Sequence, residues 1–439
     1  MFLTAVSRGA AFVFAVATLA VATHPAPAQE QALTSADLAE PTSPITITYA
    51  GAAYSASDIQ PVLDAFHKAH PNITVLYQSV PFEQFNSILA TRLSNSDSTL
   101  DVFDTDMPRT SAYATRGWLA DVSGVFGDLS KEIDPGSIGA ATSDGKLVAM
   151  PYQTSENILY FNRKLLGAAK IPSPSAAPSE RLTWEQITKD AEAAHAAGAK
   201  WGVLFDQIDR YYQLEPLPIS AGGSAGGKGD KNLTPDVTSD AWVKAFSWYG
   251  SLFSDRLSPR GVTTAETPDI FASGVVAYYV GGPWWAPKFE AQKDLDFGVA
   301  PFPAFAGGKA ATPTGGWSLG LNPASQKKRA ALIFMKFFGL DNGGYAQFLT
   351  ALAVPPSNLK GADRFYDSTP LKDVRMAGAV DLIKYELAHT AVLRLQTVGY
   401  VEFEDVMTHA FDDIINGADV VKTLKSASDQ LTDAWSKYQ

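Results

Sequence analysis

The chain has 439 residues, of which 46% are hydrophobic and 18% are charged, enough for one large or two ordinary domains with sizeable cores. It contains no cysteine, which excludes disulfides, thiolate nucleophiles, Cys-ligated zinc, iron–sulfur clusters and a lipid attached to an N-terminal cysteine. The 46 acidic and 35 basic residues give a formal net charge of −11, the wrong sign for binding nucleic acid.

Residues 1–28 have the features of a cleavable secretory signal peptide. An arginine precedes the apolar run 10–22, and a small-residue site follows at 26–28. The apolar run is shorter than the roughly 20 residues that a membrane-spanning helix needs. We therefore expect the mature chain to begin near residue 29, to be exported and, without cysteine, to remain unlipidated in the periplasm of a bacterium with two membranes.

The first elements of the mature chain follow a β-α-β order. Residues 29–44 contain two prolines and little periodicity, and they are predicted to form a flexible leader. Alternating apolar residues predict a strand over 45–49, helical spacing predicts a helix over 59–66, and a second strand is predicted over 73–80. Such a unit favours a mainly parallel sheet whose ligands bind beyond the carboxyl ends of the strands.

Strands and helices also alternate further along the chain. A Pro-, Ser- and Ala-rich segment at 168–181 is predicted to lead into another lobe. A capping box predicts a helix over 183–198, and glycines predict a loop over 222–231. A short strand at 297–300 and a helix over 327–338, ended by a glycine, complete the α/β pattern.

Several catalytic patterns are incomplete. Residues 222–228 fit Gly-x-x-x-x-Gly-Lys, but Gly229 occupies the position where a phosphate-binding loop needs Ser or Thr. Ser224 formally fits a nucleophile elbow, although a glycine-rich surface loop explains the same residues. The six histidines are scattered and predict no zinc site. The tyrosine pairs 211–212 and 278–279 could bind ferric iron, but packing in the core or in a cleft explains them better.

Five motifs follow one another along the chain. They are Asp101–Asp106 with Gly117-Trp118-Leu119, Asp144-Gly145-Lys146 with Met150-Pro151-Tyr152 and Tyr160-Phe161-Asn162, Thr183-Trp184-Glu185, Phe271-Ala272-Ser273-Gly274 with Gly282-Pro283-Trp284, and Ala300-Pro301-Phe302-Pro303 with Gly315-Gly316-Trp317. In this order they resemble the extracellular solute-binding proteins of type 1, the sugar-binding subunits of bacterial ABC importers. The resemblance covers about residues 45–356.

The resemblance implies a two-lobed periplasmic-binding-protein fold of the α/β class. Each lobe would be a mainly parallel sheet flanked by helices, and a hinge of crossover strands near Tyr152, Ala300 and Val354 would join them. The implied lobes are 45–152 plus 299–352 for the first and 153–298 plus 353–439 for the second. A solute would bind between the lobes, and contacts made better in the closed state would favour closure.

The chemistry of a sugar selects the candidate site residues. A sugar presents apolar C–H faces and hydroxyls, so its site needs flat aromatic rings and placed polar groups. Trp284 and Trp317 match the aromatic positions of the resembled family, and Trp285 lies beside them; core packing is the alternative for each tryptophan. Gly316 would let the backbone approach the ligand. Asp106 matches a carboxylate that accepts hydrogen bonds from two hydroxyls.

Further candidates belong to the same predicted sheet edge. They are Asp104, Gln153, Ser155, Tyr54 and Ser55. Asp104 could instead cap the following helix. Gln153 and Ser155 stand where some disaccharide-binding relatives carry Tyr and Asp, so those relatives' ligand does not transfer. Arg394 resembles an arginine that some relatives direct into the cleft, with a surface ion pair as the alternative.

We expect a non-catalytic, monomeric protein that uses no cofactor or metal and delivers a mono- to trisaccharide or small glycoside to an inner-membrane ABC permease. Two alternatives remain open at this point. The same fold could bind a polyamine, phosphonate, sulfonate or ferric ion. A periplasmic glycosidase would need two carboxylates across a cleft, for which Asp104, Asp106, Glu156 and Glu215 are the candidates.

Overall fold

The computed structural model describes residues 32–52, 54–349 and 354–439 of the chain. The signal peptide predicted at 1–28 lies outside the described residues and stays a prediction. Within the described part, every helix is too short or too polar to cross a membrane.

Fourteen strands occur in the described part of the chain. They are β1 Ile45–Gly51, β2 Ile73–Ser79, β3 Val102–Asp106, β4 Thr142–Ser143, β5 Lys146–Leu147, β6 Ala149–Glu156, β7 Ile158–Asn162, β8 Trp201–Phe205, β9 Gly227–Lys228, β10 Thr234–Pro235, β11 Val276–Gly281, β12 Phe297–Ala300, β13 Thr312–Leu321 and β14 Ala391–Leu393.

The α-helices in the described part of the chain surround two main sheets. They are α1 Ala56–Ala69, α2 Phe82–Ser94, α3 Thr110–Thr115, α4 Ser123–Phe126, α5 Pro135–Ala140, α6 Arg163–Ala168, α7 Trp184–Ala196, α8 Tyr211–Leu214, α9 Pro216–Ser220, α10 Asp240–Ser254, α11 Thr267–Ala272, α12 Ala286–Ala291, α13 Lys328–Gly339, α14 Leu359–Tyr366, α15 Ala379–His389, α16 Tyr400–Ile415 and α17 Val420–Trp435.

The β-α-β unit predicted at the start of the ordered chain is confirmed. β1 and β2 pair in parallel, with Ile45 opposite Ile73. Ser55 begins α1, because its hydroxyl oxygen accepts a hydrogen bond of 3.2 Å from the backbone N–H of Asp58. The buried residues of α1 are those of the predicted helical spacing, Ile59, Val62, Leu63 and Phe66.

The first sheet has the order β2-β1-β3-β13-β14, and β6 pairs with the other edge of β13. β1 is parallel to both β2 and β3, whereas β13 is antiparallel to β3 and β6. Trp317 on β13 is the register partner of Asp106 on β3 and of Gln153 on β6. Three predicted site residues are therefore side by side on neighbouring strands.

The second sheet has the order β12-β7-β11-β8 and is mixed. β11 is parallel to β8, but β7 is antiparallel to both β11 and β12. The expectation of a mainly parallel sheet therefore holds for β1 to β3 and fails here. β7 lies between β11 and β12 and runs opposite to both, so every pairing that involves β7 is antiparallel.

The chain crosses between the two sheets near two of the three predicted places, after Tyr152 and after Ala300. A crossing near Val354 stays a prediction. The N–H of Thr154 donates to the carbonyl of Pro355 over 2.8 Å, so this segment runs beside β6. β14 belongs to the range 353–439 expected in the second lobe, yet it pairs with β13 of the first sheet. The lobe boundaries themselves stay a prediction.

The described part of the predicted flexible leader is ordered. Residues 35–38 form a 3-10 helix that contacts α4 and α13. Leu33 and Leu38 pack against the hydrophobic core, and Asp37 forms an ion pair of 3.2 Å with Arg329 at the start of α13. Two leucines and one charge thus hold a segment whose prolines and weak periodicity predicted flexibility.

The later predicted elements also form. Thr183 begins α7, with its hydroxyl accepting from the N–H of Gln186 over 3.1 Å. The glycine-rich segment 222–231 is a loop with the short strand β9, and the hydroxyl of Ser224 donates to Asp236 over 2.8 Å. β12 and α13 occur where the sequence predicts them.

Gly316 is the one position in β13 where the backbone excludes a side chain. Its φ is +150°, and a Cβ there would lie 2.0 Å from the carbonyl oxygen of Gln153 on β6. Real Cβ atoms do not approach backbone oxygens so closely, so a larger residue would separate β13 from β6. The Gly-Gly-Trp motif thus serves close strand pairing at the edge where the candidate residues meet.

We expect Gly316→Ala to destabilise the protein by about 2 kcal/mol or more, because overpacking against backbone forces the strands apart. Urea unfolding measures the loss. The matched control is Gly139→Ala in α5, where a Cβ meets nothing within 4 Å. Equal unfolding midpoints for Gly316→Ala and the unmodified protein would contradict the assigned role.

Candidate functional site

A buried ion pair joins the carboxyl end of β3 to the residue that follows β14. Nη1 and Nη2 of Arg394 donate to Oδ2 and Oδ1 of Asp106 over 2.7 and 2.5 Å, and Arg394 and Asp106 are only 6% and 7% exposed. Burial is the largest influence and lowers the pKa of the guanidinium, but the charge and hydrogen bonds of Asp106 together with Tyr400 and Tyr212 raise it by more, so it stays above its usual value. The arginine is therefore a permanent charge at the centre of the site.

This pairing changes the interpretation of both residues. Asp106 was expected to accept hydrogen bonds from two ligand hydroxyls, but each of its oxygens already accepts one from Arg394. Arg394 was expected either to point into a cleft or to form a surface ion pair, and it forms a buried one. The two residues therefore form one neutral, bidentate unit, and their contact with a ligand stays a prediction.

Tyr212 in α8 connects this unit to the second sheet. The guanidinium carbon of Arg394 lies 5.0 Å from the centre of the Tyr212 ring, within cation–π range. The hydroxyls of Tyr212 and Ser155 are 2.9 Å apart, and the ring centre of Tyr212 is 6.3 Å from that of Trp284. Burial raises the pKa of the Tyr212 phenol above its usual value, so the hydroxyl is neutral.

Trp284 follows β11 and is half-buried. Its indole N–H donates to Oδ2 of Asp206 over 3.1 Å. Asp206 follows the carboxyl end of β8 and is 1% exposed. Trp285 is also half-buried, but its ring lies near the ammonium of Lys288, at 5.9 Å, and packs against the core. Trp284 therefore faces the ion-pair unit through Tyr212, whereas Trp285 contacts the body of the second sheet.

Trp317 forms an aromatic surface on the first sheet. Its ring meets those of Phe85 and Phe82 in α2 edge to face, with centres 5.7 and 6.2 Å apart. The guanidinium of Arg210 lies 4.6 Å from the centre of the Phe82 ring and donates to Glu83 over 2.5 Å. The aromatic surface around Trp317 is therefore in contact with the residue that leads into α8.

Tyr54 and Gln153 close the site on the side of β1. The Tyr54 hydroxyl donates to Oε1 of Gln153 over 3.4 Å, and both residues are buried. Ser55 is exposed, and its hydroxyl is occupied in capping α1. The structure therefore brings Tyr54 to the candidate site and leaves Ser55 outside it.

Asp104 is fully buried behind the site. Its carboxylate accepts hydrogen bonds from the hydroxyls of Tyr49 and Tyr152 over 2.7 and 3.0 Å, and from the N–H of Ala52 over 2.9 Å. It does not cap the following helix, as one alternative expected. Asp104 instead fixes the loop after β1 that carries Tyr54.

The structure thus brings together eight of the sequence-predicted residues. They are Asp106, Arg394, Gly316, Trp317, Gln153, Tyr54, Ser155 and Trp284. The sequence analysis missed Tyr212, Asp206 and Arg210 as parts of the site. The one signal for them was their position just after β8, because ligands of α/β sheets bind beyond the carboxyl ends of strands.

The carboxyls considered for a glycosidase are engaged or fully buried. Glu156 and Glu215 are 0% exposed, and burial raises the pKa of both carboxyls well above the usual range. The neighbouring Glu386 adds to the effect on Glu156, whereas Arg394 opposes it for Glu215.

Across the described residues, no cluster of three or more His, Asp or Glu side chains is arranged to hold a metal ion.

Two α/β sheets connected by crossover strands, with aromatic rings from both sheets around a buried ion pair, define a solute-binding protein of the two-lobed type. The model of the family described as bacterial extracellular solute-binding proteins matches residues 51–343 of the chain. The protein belongs to this family.

Curated relatives and solved structures agree with this membership. The maltodextrin-binding protein MdxE of Bacillus subtilis is 25% identical over 311 residues, 68% of this chain and 70% of its own. The diacetylchitobiose binding protein DasA of Streptomyces coelicolor is 26% identical over 326 residues, 70% of this chain and 73% of its own. The structure of the ABC substrate-binding protein Lmo0181 of Listeria monocytogenes in complex with cycloalternan matches with a TM-score of 0.77 and 21% identity, over 88% of this chain and 98% of that one.

We expect Arg394→Met to destabilise the unliganded protein by about 3–5 kcal/mol, because it leaves Asp106 buried without its partner. The double variant Asp106→Asn/Arg394→Met should lose less than the sum of the two single variants. Urea unfolding of all four proteins gives the coupling energy. The exposed pair Lys425 and Asp429 in α17 is the control, with a coupling below about 1 kcal/mol; equal coupling for both pairs would contradict a buried structural unit.

Proposed function

We propose that the protein binds a mono- to trisaccharide or small glycoside between its two lobes and delivers it to an inner-membrane ABC permease. The observation that carries the proposal is the placement of Trp284 and Trp317. Each is half-buried, and each follows or lies on a strand of a different sheet. Tyr212, whose hydroxyl meets that of Ser155, adjoins Trp284, and Gln153 is the register partner of Trp317.

This set of groups has the chemistry that a sugar needs. Indole rings pack against the apolar C–H faces of a pyranose, and hydroxyl and amide groups both donate to and accept from its hydroxyls. The Asp106–Arg394 unit is neutral overall, which favours an uncharged polar solute over a polyamine or a sulfonate. The names of the two curated relatives, which bind maltodextrin and diacetylchitobiose, support the same class of solute.

The proposal includes closure of the two lobes on the sugar. Ion pairs already connect elements of the two predicted lobes: Glu83 in α2 with Arg210 before α8, and Arg116 after α3 with Glu402 in α16 over 3.0 Å. A ligand favours the closed state by the contacts that it makes better there. Trp284 and Trp317 on different sheets provide such contacts.

The sequence supports a periplasmic location for the protein. A cleavable signal at residues 1–28 would export the protein, and the absence of cysteine leaves no site for an N-terminal lipid. We infer that the mature protein is an unlipidated periplasmic monomer that performs no covalent chemistry, needs no cofactor or metal and binds no nucleic acid.

Trp284→Ala and Trp317→Ala are each expected to weaken sugar binding at least fivefold, about 1 kcal/mol, because each removes an aromatic contact with the ligand. A thermal-shift panel of mono- to trisaccharides, polyols, polyamines and sulfonates first identifies the solute, since a ligand of the folded state raises the melting temperature. Isothermal titration calorimetry then gives the affinities of the variants.

The control variant is Trp201→Ala, which changes a half-buried tryptophan at the opposite end of β8 from Asp206. It should leave the affinity unchanged. Unchanged affinity in both site variants would remove the site assignment, and stabilisation by a polyamine or sulfonate alone would replace the sugar. Release of product during incubation with glycosides would favour the glycosidase instead.

Arg210→Ala is expected to shift the unliganded protein toward an open state, because it removes both the ion pair with Glu83 and the contact with Phe82. Exposed ion pairs contribute at most about 1 kcal/mol, so the open fraction should rise no more than about fivefold at low salt. Small-angle X-ray scattering measures the change as a larger radius of gyration.

The matched control for this prediction is Arg163→Ala. Its partner Asp296, at 3.1 Å, belongs to the same predicted lobe, so closure should not depend on this pair. Saturating sugar should return the Arg210→Ala protein to the compact form. Identical scattering of the Arg210→Ala and unmodified proteins without ligand would contradict a role of this pair in closure.

A further inference from the structure

Asp206 is a buried carboxylate that connects several elements behind Trp284. Its Oδ1 accepts hydrogen bonds from the hydroxyl of Tyr279 in β11 over 2.8 Å and from that of Thr267 in α11 over 3.1 Å. Its Oδ2 accepts from the indole N–H of Trp284 over 3.1 Å. Its own backbone N–H donates to the carbonyl of Val280. Contacts with β11 and α11 therefore fix the carboxylate independently of its contact with the tryptophan.

Gly282 fixes the same indole from the other side. A Cβ at residue 282 would lie 1.8 Å from a carbon of the six-membered ring of Trp284, so the ring lies directly against the glycine backbone. No other residue leaves this space free, because every other side chain begins with that carbon. Pro283 follows and has a fixed φ. The Gly-Pro-Trp sequence thus forces the ring back toward Asp206.

We propose that Asp206 and Gly282 are positioning residues that hold the indole of Trp284 at the angle and depth at which it faces Tyr212 and the solute. The part of this inference that concerns solute affinity rests on the proposed function. The part that concerns the orientation of Trp284 does not, because the contacts with Asp206 and Gly282 exist in the protein without ligand.

The carboxylate responds to pH near neutrality. Burial raises the pKa of Asp206 to about 6, and the interaction with the indole of Trp285, followed by the hydrogen bonds from Tyr279, Trp284 and Thr267, opposes a larger rise. The titratable groups that face it are the phenols of Tyr279 in β11 and Tyr160 in β7, and burial keeps both phenols neutral.

The charged groups on the adjoining helices include Asp269 in α11 and Lys288 in α12, whose side chains are 2.6 Å apart. The buried carboxyls of Glu156 and Glu215 also have raised pKa values, and Glu156 interacts with Tyr212. The variant Asp206→Asn therefore separates the titration of Asp206 from that of these two groups.

The direction of the effect follows from the charge of the acceptor. Above pH 6 the ionised carboxylate accepts strongly from the indole N–H. Below pH 6 a proton from solvent converts one of its oxygens to a hydroxyl, which accepts more weakly and itself needs an acceptor. The three donors around Asp206 then share a poorer partner, and Trp284 loses its fixed orientation as the pH falls through 6.

The first experiment uses the ligand-free, full mature chain. The protein has nine tryptophans, so the contribution of Trp284 is taken as the difference in fluorescence and near-ultraviolet circular dichroism between the unmodified protein and Trp284→Phe. We expect this difference to titrate between pH 4 and pH 8 with a midpoint near 6. It should lose that transition in Asp206→Asn, which stays neutral at every pH.

The matched control is Asp190→Asn. Asp190 is another buried carboxylate beside β11 and accepts a hydrogen bond of 2.9 Å from Tyr278, but it contacts no tryptophan indole N–H. This variant should keep the transition near pH 6. Gly282→Ala should reproduce at pH 8 the displaced Trp284 signal that the unmodified protein shows at pH 5, whereas Gly167→Ala, where a Cβ meets nothing within 4 Å, should not.

The second experiment measures sugar affinity against pH by calorimetry. The affinity of the unmodified protein should fall severalfold from pH 7.5 to pH 5, and that of Asp206→Asn should be lower at pH 7.5 and nearly independent of pH. A Trp284 signal without a transition near pH 6, or one that persists in Asp206→Asn, overturns the positioning role. A transition as expected in a protein that binds no sugar supports the positioning role and overturns the proposed function alone.

Discussion

The bidentate ion pair between Asp106 and Arg394 is the interaction around which the site is arranged. Removing two charges from water costs several kcal/mol for each, and the cost is recovered only when the geometry is good and both partners stay in place. The pair therefore requires β3 and β14 to keep their register on either end of β13. Tyr212 stacks on the arginine, and through Tyr212 the second sheet depends on the same pair.

This arrangement assigns different tasks to groups that look alike in the sequence. Asp104 and Asp106 are two residues apart on β3, but one fixes the loop after β1 and the other neutralises Arg394. Trp284 and Trp285 are adjacent, but one contacts Tyr212 and the other the core. Such a division separates the side chains that hold the scaffold from the half-buried aromatic and hydroxyl groups that are proposed to contact the solute.

Much of the fold can be predicted from the sequence, because local residue patterns specify individual helices and strands. The buried residues of α1 are those of the helical spacing, and Thr183 caps α7 as its side chain allows. The partnership of Asp106 and Arg394 has no local signal, since 288 residues separate them. Asp206 lies in no recognisable motif, and its role arises from contacts with β11 and α11. The ordered leader was missed because two leucines that pack on distant helices do not alter the local composition.

The crossing from the first sheet to the second consists of one residue. β6 ends at Glu156 and β7 begins at Ile158, and the side chain of Asn157 between them accepts a hydrogen bond of 2.9 Å from Gln213. A connection this short has few backbone dihedral angles that can change. The second crossing, from β12 at Ala300 to β13 at Thr312, is longer. Changes of backbone conformation between the two sheets can therefore be distributed over the segment after Ala300 but not over the segment after Glu156.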